Sequence, residues 1–466
     1  MADDLGHRGT RHAVVIGGSL AGLLAARVLS EHAERVTVVE RDRFPEGPDA
    51  RPGVPQSRHT HVLLEGGQRA LDELLPGFMD ELTEQGAPRV GMPQDMVQWQ
   101  NGQWFRRIPA TTAFYTGDRA KLEALVRRRV LADPRIETAQ GVEAVGLIGD
   151  SARVRGVLLR DRGVGSGTGE GGEPRRLEAD LVVDASGRGT RAPDWLAAIG
   201  AEAPHEETID TGLAYATRTY RAPENDKTDA LGYFIVPNPE QVYGGVVVPL
   251  GDGRHLVTLS GLRGDEPPTD EAGFEAYANR LPHPVIGEWL ARAEPVSPVF
   301  GFRRTANVRR RYDRPGRRPA GFLATGDALC TFNPIYGQGM AVAAMSAVAL
   351  REALGDRRRT ATTRVVQKAL LDASRQAWDI SAGSDKKMPG ATGNATGTRA
   401  VDRPVGWYLR RLQQRYGGDP VVGRAFRSVL TLTAPMTSLF APAVARSVLF
   451  GPVPWTPPEP PLRREG

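Results

Sequence analysis

The stretch His12–Gly22, HAVVIGGSLAG, constrains this chain more than any other. HAVVI reads as a short buried strand, Gly17–Gly18 as a tight turn, and LAGLLAARVLSEH as a helix starting near Leu20. A second strand, RVTVVERD, carries Glu40, 23 residues after Gly17. Residues 12–42 therefore read as one βαβ unit. Such a unit turns unpaired helix N–H groups and the positive end of a helix dipole toward a pyrophosphate. Its terminal acid stands where ribose hydroxyls need an acceptor. The dinucleotide fingerprint is Gly-x-Gly-x-x-Gly, and its middle glycine is Ser19 here. Serine is the next smallest polar residue, and its hydroxyl offers a donor to a phosphate. Gly22 keeps the last place, where helix and strand approach closely.

Two further motifs repeat the pattern of a buried strand ending in an acid. ADLVVDASGRGT (179–190) delivers Asp184 into a turn that contains Gly187. GFLATGDALCTFNPIYGQGMAVA (321–343) delivers Asp327, then Pro334, then Gly337-Gln338-Gly339 at the mouth of a long apolar helix. Two helix N-termini far apart in sequence suggest one extended cofactor anchored at both ends.

At 466 residues the chain is long enough for two interleaved domains and two or three packed layers. Its net charge is only +5, so nucleic acid is a poor candidate partner. The dense basic stretch FRRTANVRRRYDRPGRRP (302–319) reads as a solvated face, an anchor for an anionic cofactor tail, or a docking patch. Cys330 is the single cysteine, which excludes an internal disulfide and a multi-cysteine metal site and suits a reducing cytoplasm. The N-terminus lacks the apolar core of a secretory signal, and no stretch reaches the ~18 apolar residues of a membrane span. The segment 429–450 is the nearest to one. It reads as helices packed on the core, a cap over a lipophilic substrate, or a membrane-surface patch.

Residues 44–61 form a long Pro/Gly loop, of the kind that tends to be functional, and a helix follows through LEGGQRALDELLPGF. Residues 97–109 read as a hairpin turning at Asn101–Gly102, and DRAKLEALVRRRVLAD as an amphipathic helix. A strand meander leads to Asp184, with a mobile Gly-rich tip at 163–172. Residues 210–262 read as an inserted antiparallel sheet. His59 and His61 alternate on the long loop, and no carboxylate or cysteine cluster accompanies them to make a metal site.

Taken together, GGSLAG…ER, DASGRG and GDA…NPIYGQGM resemble the flavoprotein monooxygenases of the para-hydroxybenzoate hydroxylase fold. GVPQSRHTHVLLEGG and GDRAKLEALVR resemble, more closely, the bacterial polyether-biosynthesis epoxidases, distant relatives of squalene epoxidase. The resemblance implies an α/β fold: a discontinuous Rossmann-like FAD-binding domain, an inserted antiparallel β-sheet substrate domain and C-terminal helices. The corresponding divisions are 10–85, 116–205 and 306–355 for the FAD-binding domain, 86–115 and 206–305 for the substrate domain, and 356–466 for the helical region. It further implies that Gly17, Gly18, Ser19, Leu20, Ala21 and Gly22 hold the FAD pyrophosphate and Glu40 the adenosine ribose, with Arg41 and Val142 also among the cofactor-binding residues. Asp327 would hold the pyrophosphate–ribityl region, with Asp184 and Gly187 nearby, and Pro334, Gly337, Gln338, Gly339 and Met340 would border the isoalloxazine. Arg58 and Arg119 match FAD-contacting arginines. The family's Asp-Gly motif reads Asp-Ala-Ser-Gly here, which leaves NAD(P)H and a separate flavin reductase both open as electron source.

The implied reaction is epoxidation, through a C4a-hydroperoxyflavin formed with O2, of an alkene in a lipophilic polyketide- or terpenoid-like intermediate. No side-chain nucleophile or acid–base pair is required. The cavity would be lined by LGYFIVP, VYGGVVVPL and the C-terminal helices. Hydroxylation of an aromatic or phenolic substrate uses the same intermediate and is the alternative. A halogenase needs Trp-x-Trp-x-Ile-Pro, where WFRRIP has Arg106, and an earlier lysine than Lys121. A non-catalytic flavin-binding role is the remaining rival.

Overall fold

The computed structural model describes Leu5 and residues 11–162, 173–223, 228–314, 316–397 and 403–465. The Gly-rich tip expected at 163–172 lies outside the described residues. At the centre is a five-stranded parallel sheet, in the order Phe322–Ala324, Leu181–Asp184, His12–Ile16, Arg35–Glu40, Ile136–Gln140. The first strand is buried along its whole length, as its uninterrupted apolar run requires. Leu20–Leu29 follows as the first helix and packs with Arg119–Val130 and Gly339–Gly355 on the sheet. Against the sheet lies the expected meander, Val142–Gly149, Val154–Asp161 and Arg175–Glu178, antiparallel throughout. The helix expected after the long loop breaks at Pro76–Gly77 into Glu65–Leu74 and Phe78–Glu84, because Gly77 takes a left-handed conformation.

The second large sheet has eight strands. Ala214–Arg221, Arg254–Gly261, Gly244–Gly251 and Gly232–Ile235 pair antiparallel in that order, as the alternating pattern predicts. Met96–Gln100 then joins Gly232–Ile235 in parallel, a long-range pairing that local pattern cannot show. The predicted hairpin closes Met96–Gln100 onto Gln103–Trp104 through Asn101 and Gly102, both at positive φ. One face of this sheet is sealed by Phe274, Ile286 and Trp289 from the helices Glu271–Tyr277 and Val285–Leu290.

The basic stretch is a strand rather than a free positive face. Asn307–Arg311 pairs antiparallel with His205–Ile209. Arg309 and Arg311 bind Glu207, and Arg310 binds Glu206. The charge of Arg309–Arg311 is thus met by carboxylates within the fold, while Arg303 and Arg304 of the same stretch stay exposed.

The first turn depends on absent atoms. A Cβ on Gly22 would lie 1.8 Å from the Gly17 carbonyl oxygen. By contrast, a Cβ on Gly383, inside the helix Thr363–Asp385, would meet open space. Gly22→Ala should therefore lower stability by about 2–4 kcal/mol. Gly383→Ala should raise it by about 0.5–1 kcal/mol. Paired urea denaturations of the two variants check the opposite signs.

Candidate functional site

The three motifs converge at the C-terminal ends of the parallel strands. Gly17, at φ 103°, donates its N–H to the Val39 carbonyl. A Cβ there would lie 2.5 Å from the Ala185 carbonyl oxygen, so the first turn rests on the second motif. A Cβ on Gly326 would come within 2.6 Å of the Ala21 methyl, so the third motif rests on the first helix. These contacts bring residues 17–22, 184–188 and 326–327 together.

Around the first turn lies a buried charge cluster. Gly18 donates its N–H to Glu40 at 2.8 Å, and the other Glu40 oxygen accepts from the Asp42 N–H. Arg51 lies within 3.0 Å of Glu40, 3.3 Å of Asp42 and 2.9 Å of Glu123, and donates to the Gly18 carbonyl. Arg119 pairs with the other Glu123 oxygen at 3.1 Å. Burial alone would push the Glu123 carboxyl up, and the adjacent Arg119 and Arg51 outweigh it and hold the pKa below the usual range. The Ser19 hydroxyl donates to Glu123 at 2.9 Å, so it serves the protein rather than standing free for a phosphate. It makes no helix cap, which leaves the first-turn N–H groups of Leu20–Leu29 without a side-chain partner.

Arg51 and Glu123 were missed in the sequence. Arg51 sits in the long Pro/Gly loop without a local pattern, whereas Glu123 is four residues after Arg119 on one helix face and was legible as its partner.

Beyond Glu40, its strand neighbour Gln140 leads to Gly141, whose N–H binds the Asp42 carbonyl, and to buried Val142. Arg41 is exposed beside this turn.

Asp184 is fully buried, and its carboxylate accepts hydrogen bonds from Ser186 and Thr190. It shapes its turn and presents no oxygen to a ligand, while Gly187 at φ 85° has open space around it. Asp327 differs. The residue is half-buried, and its carboxylate takes no side-chain hydrogen bond among the described residues and feels Arg188, Arg310 and Arg119. Burial nevertheless raises its pKa.

Asn333 accepts from the Ile335 N–H and starts the short turn Pro334–Tyr336. Gly337 follows at φ 64°, where a Cβ would strike Val62 at 2.4 Å. Gln338 is buried with its Oε1 unpartnered, and Gly339 opens a 17-residue helix that has no side-chain cap. Met340, Arg119 and His61 line one small cleft beside it. Arg58 is apart from these groups: it is exposed, with its guanidinium 4.9 Å from the centre of the Phe300 ring.

A cavity of about 310 Å³ runs from Pro334–Gln338 between the eight-stranded sheet and the C-terminal helices. Phe234, Val236, Val246, Val248, Phe426 and Leu430 supply much of its wall, from the stretches expected to line it. Of 429–450, Val429, Leu432, Leu439, Val444 and Val448 are buried in the core, as the packed-helix reading expects, Leu430 and Thr431 line the cavity, and Phe450 at the far end is 82% exposed. Among the described residues no group of three His, Cys, Asp or Glu is arranged to hold a metal, and no helix is long and apolar enough to cross a membrane.

His59 is buried against Tyr215 and Phe302, with Nδ1 2.9 Å from the Thr217 hydroxyl. Burial, reinforced by Arg58, lowers its pKa to about 4. His61 donates from Nδ1 to the His59 carbonyl, and burial lowers its pKa to about 3. Both folded values lie below the unfolded value near 6.5, so the unfolded chain takes protons first. Stability should be complete above about pH 6.5 and fall as pH drops toward 4, His59 alone contributing on the order of 1–3 kcal/mol. Thermal melts across that window should show a shallower slope for His59→Gln than for the parent.

A family model described as an FAD binding domain matches residues 10–383. "Protein Rv3254" of Mycobacterium tuberculosis H37Rv is 36% identical over 354 residues, covering 74% of this chain and 73% of that protein. The 6-methylpretetramide 4-monooxygenase of Streptomyces rimosus is 28% identical over 371 residues, covering 75% and 77%. Among solved structures, p-nitrophenol 4-monooxygenase PnpA from Pseudomonas putida DLL-E4 superposes with a TM-score of 0.63 at 17% identity, covering 90% of this chain and 98% of that one. The flavin-dependent brominase Bmp2 superposes at 0.61 and 16%, covering 90% and 93%. These two share the fold. With a single family model spanning the strands, turns and helix mouths just described, the chain belongs to the FAD binding domain family of flavin-dependent monooxygenases.

Proposed function

We propose that this monooxygenase epoxidises an alkene of a lipophilic polyketide- or terpenoid-like intermediate. The observation that carries the reading is the apolar cavity opening on Pro334–Gln338 with no free side-chain base on its wall. Its one carboxylate among the described residues, Asp385, is engaged by Asn307, Asn333 and Tyr336. Alkene epoxidation takes no proton from the substrate, so it suits a wall without a base.

The residues fit FAD. Main-chain N–H groups of residues 19–22, beyond the Gly17 and Gly18 donors used within the fold, and the Arg119 guanidinium would meet the pyrophosphate, and Glu40, Arg41 and Val142 the adenosine. Asp327, the unpartnered carboxylate, would accept from ribityl hydroxyls, beside Gly187. Pro334 and Gly337–Met340 would border the isoalloxazine, with the positive end of the helix Gly339–Gly355 toward its electron-rich edge. Bound FAD supplies the two-electron activation of O2, one oxygen atom going to the substrate and the other to water. The chain's part is to orient the C=C and to exclude water through the apolar wall. NAD(P)H, directly or through a partner reductase, would supply the electrons.

Hydroxylation of an aromatic ring is the second reading, favoured by the relative named 6-methylpretetramide 4-monooxygenase. A halogenase role is disfavoured, because Arg106 is committed to Glu465 at the place where those enzymes need their second tryptophan.

Asp327→Ala should keep its fold, with a melting temperature within a few degrees of the parent, and weaken FAD binding by at least roughly tenfold. Fluorescence titration with FAD and a thermal melt measure the two. For the reaction, the reduced holoenzyme is given 18O2 and either a long-chain polyene acid or a phenol. One labelled oxygen in an epoxide supports the reading. Labelled hydroxyphenol with no epoxide replaces it by the second.

A further inference from the structure

The helix Pro420–Leu430 places Arg427 in the wall of the large cavity, 7% exposed. Its Nε donates to the Thr111 hydroxyl at 2.8 Å, and its buried Nη2 has no hydrogen-bond partner. Among the described residues no carboxylate forms an ion pair with it, and burial, reinforced by the like charge of Arg424, lowers its pKa to about 10. Other buried arginines are partnered: Arg51 has Glu40, Asp42 and Glu123, Arg107 has Asp229, and Arg218 has Glu271 and Glu275. Arg127 and Arg415, which also lack a carboxylate ion pair among the described residues, donate to the main-chain carbonyls of Pro45, Gly47 and Pro452. Space is also kept for the guanidinium. A Cβ on Gly423 would lie 3.0 Å from Nη1 and 3.1 Å from Nη2.

A guanidinium removed from water without a counterion is costly, and the cost is offset when an anion arrives with the ligand. From the same C-terminal segment Tyr416, Phe426 and Leu430, with the neutral polar Gln413 and Thr431, also line the cavity, and the three larger side chains would hold an apolar body. We propose that Arg427 is a specificity-determining residue: it binds an anionic oxygen, carboxylate or ionised enol, on a substrate that is otherwise apolar. The planar fork of Arg suits a two-oxygen anion. This inference rests on the reading of the cavity as the substrate site.

The test is titration calorimetry on the FAD-loaded, oxidised chain with three probes of similar size. They are 2-naphthoate (a carboxylate), 4-hydroxycoumarin (an acidic enol) and 2-naphthamide (a neutral isostere). At least one anion should bind roughly tenfold or more tightly than the amide. Arg427→Gln should reduce that preference below about threefold while leaving amide binding within about threefold of the parent. Arg427→Lys, which keeps the charge and loses the fork, should fall between, and it serves if the glutamine variant does not fold. Preference for naphthoate alone identifies a carboxylate, and for hydroxycoumarin alone an enol. Equal binding of anions and amide, no binding of either anion, or a preference that survives Arg427→Gln overturns the proposal. No turnover is involved, so failure here leaves the epoxidation reading standing. Failure of oxygen transfer with the charge preference intact has the opposite meaning.

Discussion

Arg51 is the group around which the candidate site is assembled. Its guanidinium joins Glu40 at the end of the second strand, Asp42 in the next turn, Glu123 on the helix Arg119–Val130 and the Gly18 carbonyl. Each partner would be costly to bury alone, and together they satisfy one another's hydrogen bonds. The result is that a Gly-Gly-Ser turn, locally among the least ordered of sequences, is held between elements more than 100 residues apart. Ser19 fits this scheme because its hydroxyl is one more hydrogen bond to Glu123. Ser19 is therefore tied into the cluster beneath the turn, Gly17 and Gly18 donate within the fold, and the first-turn N–H groups of Leu20–Leu29 keep no side-chain cap.

What could be read from the sequence was local. The run HAVVI, the terminal acid Glu40, the Asn101–Gly102 turn and the apolar helix after Gly339 announce themselves through period, turn chemistry and burial within a few residues. What could not be read was set by partners distant in the chain. Asp184 and Asp327 stand in similar strand–acid–turn contexts, yet one is consumed by Ser186 and Thr190 and the other is left open. Arg58 and Arg119 looked alike as loop and helix-start arginines. Only Arg119 meets the turn, because Glu123 draws it there, whereas Arg58 lies over Phe300. The basic strand looked solvent-facing because its carboxylates, Glu206 and Glu207, lie about a hundred residues earlier.

The two sheets divide the work by chemistry. The parallel sheet ends in glycines, main-chain donors and balanced charge, suited to a polar, phosphate-bearing molecule. The eight-stranded sheet turns Phe234, Val246 and Val248 to the cavity, and the helix Pro420–Leu430 closes it with Phe426 and Leu430, Tyr416 standing just before that helix. Pro334–Gln338 belongs to both regions, since it follows the last parallel strand and lines the cavity. That segment is held by Asn333 and by the Val62 side chain pressed on Gly337, so the junction between polar and apolar halves is fixed from both sides.

The order of strands in the parallel sheet bears on how the chain is made. Four of its strands lie within residues 12–184, but the outermost, Phe322–Ala324, follows the whole inserted sheet. As synthesis proceeds from the N-terminus, Leu181–Asp184 is an open edge until some 140 further residues have emerged. Open edges invite pairing with other chains, and here the edge is short and its neighbour late. Nascent chains thus reach a stage at which the first two strand–acid motifs have emerged and the third is still to come.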